Sequence, residues 1–119
     1  MRNSPTKTSP EVEGHLPLKA ADCHLLMALA REELYGYALL QAMAEDSRGT
    51  VSMDIGALYR ALDRLMRSGL IAESGRRAAE PTRGKKRRYY EITKLGRAVL
   101  NAELVRLHRV LEVAQEVRS

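Results

Sequence analysis

Leu18, Ala21, Leu25, Leu26 and Leu29 recur at the three- and four-residue steps of a helix, so the spacing predicts a first helix from Leu18 to Arg31 with one apolar stripe. Glu32-Glu33-Leu34 connects it to a second helix, from about Tyr35 to Ser47, with Leu39, Leu40 and Met43 turned inward. Gly36 near the start of that helix suggests a close approach of backbone or a tight entry. Arg48-Gly49-Thr50 ends it, and Val51-Ser52-Met53 crosses to a third helix that is sharply two-sided. Leu58, Leu62 and Leu65, with Ala61 and Met66 beside them, form its apolar face, while Arg60, Arg64 and Arg67 repeat on another. Asp54 is placed to cap its first amides and Gly69 to stop it. The period then changes to two. Leu70–Ser74 and Arg88–Ile92 alternate as strands do, which predicts that one of Tyr89 and Tyr90 faces in and the other out. Thr93 opens a last helix with Gly96 in its first turn, and Leu100, Leu104, Leu107, Leu111 and Ala114 repeat along it at four-three-four-three. Val99, Ala102, Val105, Val110, Val113 and Val117 widen that apolar surface beyond what one edge helix can bury in its own chain. A second copy of the chain is the simplest cover.

This order predicts a mainly α fold with a small two-stranded β wing. A short crossing between the second and third helices makes a helix-turn-helix, and a hairpin after the third helix makes it winged. Residues 1–15, rich in Ser, Thr and Pro, read as a flexible arm, residues 16–92 as the winged helix-turn-helix, and residues 93–119 as a C-terminal dimerisation helix.

Charge sharpens the picture because of where it sits. Of a net +5, the segment 76–88 carries seven Arg and Lys against Glu80 alone, which leaves the rest of the chain close to neutral. A basic loop on a neutral body is the footprint of a polyanion binder. The 119 residues allow one domain, and no apolar run approaches the roughly 20 residues that span a bilayer. The first ten residues have no apolar core to act as a signal peptide, so a cytoplasmic location is expected. Cys23 is the only cysteine, which excludes an internal disulfide and a cysteine-built metal site. Cys23 and His24 are helix neighbours pointing about 100° apart, and His15 and His108 lie at no ligand spacing. No metal or cofactor is expected, and no nucleophile, base or carboxylate grouping stands at an enzyme's spacing.

Tyr35-Gly36-Tyr37, Gly56-Ala57-Leu58-Tyr59, the Gly69-Leu70-Ile71 step and the run Lys86-Arg87-Arg88-Tyr89-Tyr90-Glu91-Ile92-Thr93-Lys94-Leu95-Gly96-Arg97 together resemble the PadR family of bacterial winged-helix transcriptional repressors. The resemblance covers about residues 16 to 118. It implies a homodimer on a palindromic operator in double-stranded DNA, repressing until a small-molecule effector releases it. It also implies the short subfamily, with a single C-terminal helix. Ala57 stands where the family usually has Thr and removes a hydroxyl contact. Some short members hold planar drugs between aromatic residues at the dimer interface, but this last helix carries no Trp, Phe or Tyr.

On the residues themselves, Arg60 is the candidate for a base edge, since a guanidinium grips guanine O6 and N7 together. Ser52, Tyr59 and Arg64 are placed to hold phosphates, helped by the free amides where Gly56 and Ala57 open the third helix. Arg83, Lys85, Lys86 and Arg87 of the loop would follow the DNA backbone or dip into the adjacent minor groove, with one of Arg87 and Arg88 facing DNA. Leu100, Leu104, Leu107, Leu111 and Ala114 are the candidate dimerisation residues. The first rival reading is a protein-interaction module that uses the basic wing and the last helix without reading DNA sequence, and the second is double-stranded RNA binding.

Overall fold

Polar side chains fix the starts of the two longest helices. The Asp54 carboxylate accepts the amide of Ala57 at 2.7 Å and starts one of them; the Thr93 hydroxyl accepts that of Gly96 at 3.0 Å and starts the other. Each satisfies an amide that the first helical turn leaves without a partner. In a computed structural model that describes residues 9–75 and 88–119, the order is α1 (Pro10–Glu13), α2 (Ala20–Arg31), β1 (Leu34–Tyr35), α3 (Gly36–Asp46), α4 (Ile55–Arg67), β2 (Ile71–Glu73), β3 (Tyr89–Ile92) and α5 (Lys94–Arg118).

The predicted apolar stripes converge on one core. Leu25, Leu26 and Leu29 of α2, Leu39 and Met43 of α3, and Leu58, Leu62 and Leu65 of α4 are all buried there, with Leu18, Ala21 and Leu40 packed at its margin. A buried leucine contributes about 1.5–3 kcal/mol, so these stripes supply most of the drive to assemble the three helices. Gly69 takes a φ of 78°, the left-handed conformation that ends α4, while the amide of Leu70 returns to the Leu65 carbonyl at 3.0 Å.

The structure differs from the expectations in four places. The sheet has three strands rather than two, in the order β1-β3-β2, all antiparallel. Leu34 pairs with Tyr90 and Tyr35 with Tyr89, so part of the expected connector is an edge strand. Two residues are too short to show a period, which is why the sequence pattern missed it. Both tyrosines of β3 are buried, not one. Tyr90 enters the core, while Tyr89 meets the Tyr35 ring edge-on at 5.6 Å, so the added strand covers the side expected to face water. Residues 10–13, expected in a flexible arm, form a helical turn capped by Ser9, and Val12 is buried in the core. Finally, α5 does not begin as a separate segment: Val99 and Leu100 belong to the main core, and Gly96 abuts the Leu70 carbonyl and Ile92. A Cβ at Gly96 would sit 2.8 Å from Ile92 Cγ1, so only glycine lets the helix lie this close to the sheet.

Candidate nucleic-acid interface

With Leu58, Ala61, Leu62 and Leu65 turned into the core, α4 presents the opposite face to solvent. Ser52, Gly56, Tyr59 and Arg60 are exposed along its start and the turn before it. That turn is fixed by Ser47, whose hydroxyl accepts the amide of Val51 at 3.0 Å and donates to the Val51 carbonyl at 3.1 Å. Ala57 is half-buried, and its amide is the one Asp54 caps. The structure therefore gathers Ser52, Gly56, Tyr59 and Arg60 on one surface, with Ala57 at its edge.

The three arginines of α4 meet different surroundings. Arg67 pairs with Asp63 one turn back on the same helix. Arg64 was expected to hold a phosphate, but its guanidinium grips Asp22 of α2 through two parallel bonds of 2.8 and 3.0 Å. Asp22 is buried, so this pair ties α4 to α2, and the hydrogen bond raises the guanidinium pKa still further above its ordinary value. The sequence signal was an acid set inside the apolar stripe of α2, next to Ala21. Among the described residues Arg60 has no ion pair, and its Nη1 lies 3.4 Å from where a Cβ on Gly56 would stand. Its guanidinium thus lies over the first turn of α4, which Asp54 caps.

The base of the wing is anchored. Arg88 pairs with Glu73 across the hairpin at 3.1 Å and stacks over the Tyr90 ring at 5.8 Å, so it serves the hairpin. Arg83, Lys85, Lys86 and Arg87 lie outside the described residues. On α5 the candidate seam divides. Leu100 is only 4% exposed and already belongs to its own chain's core, which removes it from any seam between copies. Leu104, Leu107 and Leu111 are exposed, at 39%, 40% and 51%, and Ala114 is half-buried beside them. Val110, Val113 and Val117 are exposed too.

The described residues hold no grouping of His, Cys, Asp and Glu fit for a metal ion. Cys23 is buried, and burial pushes its thiol pKa up, with Glu103 adding to the rise, which makes the thiol a poor nucleophile. No helix among the described residues is long and apolar enough to cross a membrane.

Residues 25–102 match the model of the Transcriptional regulator PadR-like family. The chain belongs to that family. PadR-like proteins are transcription regulators rather than enzymes. The match runs from the middle of α2 to the point where α5 leaves the core. An uncharacterized protein of Lysinibacillus sphaericus is 30% identical over 95 residues, 80% of this chain and 79% of that one. Solved PadR-like structures share the fold. A PadR family transcription regulator from Clostridium difficile has a TM-score of 0.68 at 23% identity, over 85% of this chain and 100% of that one. A PadR-like transcriptional regulator from Bacillus cereus has 0.68 at 24%, over 93% and 98%. Bacillus subtilis PadR, solved in complex with operator DNA, has 0.63 at 24%, over 75% of this chain and 49% of that one.

Proposed function

We propose that the chain is a transcriptional repressor that binds a palindromic operator as a homodimer. The observation that carries this reading is the outward face of α4, where Tyr59 and Arg60 stand exposed on a helix clamped to the core by three buried leucines. That is the arrangement by which a helix enters a major groove, its side chains held in register by a rigid body. The Bacillus subtilis relative bound to operator DNA supports it. Arg60 reads a base edge, Ser52 and Tyr59 hold phosphates, and the basic loop of the wing lies along the adjacent backbone. The exposed leucines of α5 pair two copies, and a two-fold axis then places two α4 helices about 10 base pairs apart on the duplex. A small molecule that alters the α5 pairing would release the operator.

Replacing Lys85 and Lys86 together by Ala tests the backbone contacts. Affinity for specific and random duplex should fall alike, and the slope of log affinity against log salt should decrease by up to about 2 units for each protomer bound. An unchanged slope would remove the wing from the interface and favour the protein-interaction reading.

A further inference from the structure

Gly36 opens α3 without a backbone reason to be glycine. Among the described residues the glycines with positive φ are Gly49 and Gly69, so the backbone at 36 suits any residue. In a helix glycine costs about 0.5–1 kcal/mol relative to alanine. What excludes a side chain is Tyr59, from the next helix along the chain. A Cβ on Gly36 would stand 2.6 Å from Tyr59 Oη, 3.1 Å from Cζ and 3.5 Å from Cε1. The phenol of α4 thus meets the bare backbone of the first residue of α3 with its hydroxyl end.

That seat is also where the wing is rooted. Gly36 follows Tyr35, which pairs with Tyr89 of β3. Tyr59 nevertheless keeps 46% of its surface exposed. A ring pinned at one edge and open at the other is held in one orientation at the meeting point of α3, α4 and the wing base.

We propose that Gly36 is a positioning residue for Tyr59: its missing side chain forms the seat that holds the phenol hydroxyl at the start of α3, where it meets the DNA backbone. This rests on the reading of Tyr59 as a phosphate contact, and it assigns a role in DNA binding to a residue of a helix that itself carries none of the expected contacts. Because the clashing atoms are the far end of a side chain, alanine at 36 displaces the phenol and leaves the core in place.

The test uses the full chain in four forms: wild type, Gly36→Ala, Tyr59→Ala, and both together. Binding is followed by the anisotropy of a fluorescein-labelled duplex of random sequence, which reports phosphate contacts without an identified operator. Losing a hydrogen bond to a charged group corresponds to about tenfold or more in affinity, so each single variant should bind about tenfold more weakly. The double variant should bind no more weakly than Tyr59→Ala. Losses that multiply in the double variant would overturn the proposal, because Gly36 would then act independently of Tyr59. A Tyr59→Ala variant that binds like wild type would overturn it while leaving DNA binding intact. Ring resonances of Tyr59, measured by NMR without DNA, separate the two layers. They should shift in Gly36→Ala, and unchanged resonances would refute the seat. A wild type that binds no duplex would refute the DNA-contact reading itself, and with it the role of the phenol. If Gly36→Ala fails to fold, recovery of folding in the double variant supports the clash with Tyr59, and continued failure overturns it.

Discussion

Arg60 and Arg64 stand one helical turn apart, and the surroundings of each decide what it can do. Arg64 spends its fork on buried Asp22, so Arg64→Ala should leave that carboxylate without its partner. We expect a loss of about 1–3 kcal/mol in folding stability, read as a lower melting temperature; water reaching the exposed edge of the arginine keeps the loss below that of a fully buried pair. Arg60→Ala should leave the melting temperature unchanged and cost about 1–3 kcal/mol at the cognate site, with much less effect on random duplex. Equal losses on both duplexes would make Arg60 a phosphate contact. The sequence pattern assigned Arg60 to a base edge and Arg64 to a phosphate, but it could not reveal the pair with Asp22. Their spacing on the helix is equivalent, and the partner that distinguishes them lies 42 positions away along the chain. Tyr59 was legible as a surface residue, while its seat on Gly36 is a contact between two helices that no local pattern encodes.

At the scale of elements, the long helices and both wing strands were legible because each runs through enough periods to declare itself. The four-residue α1 and two-residue β1 were not, since neither completes a pattern and both are held by tertiary packing. The last helix was legible as apolar throughout, but the repeat could not show where the core ends. That point falls between Leu100 and Leu104. Leu107→Asp with Leu111→Asp should therefore give a folded monomer, whereas Leu100→Asp should unfold the chain, since it places a charge in the core. Sedimentation with circular dichroism distinguishes the two, and an unfolded Leu107/Leu111 variant would count against a free α5 surface. Glu103, buried at the same boundary, accepts two bonds of 2.8 Å from Arg106. Those bonds first, and the amide of Leu18 with them, outweigh burial and hold its carboxyl below the ordinary carboxylate range. A depressed acid stabilises the fold above its unfolded pKa, roughly pH 4.3, and that contribution fades as pH falls through the lower folded value. Glu103→Gln should thus be less stable than wild type at neutral pH, with the difference closing in acid on a pH series of thermal melts.

At the scale of the molecule, the core, α4 and the anchored wing base form one body, and the outer half of α5 is an apolar surface with no cover among the described residues. Exposed rows of this kind are rare on monomers, and in the proposed dimer a two-fold axis through them would set both the spacing and the symmetry of what the two α4 helices meet. In the proposed function, charge on the wing would supply affinity, α4 the reading, and α5 the geometry. The chemistry of each was visible in residue types and their spacing; the division of labour within α4 and within α5 required the fold. The most direct test of the whole account is selection of bound sequences from a random duplex pool with the wild-type chain. The account predicts enrichment of an inverted repeat whose half-sites are centred about 10 base pairs apart. Enrichment of a single asymmetric site, or of no sequence at all, would contradict it.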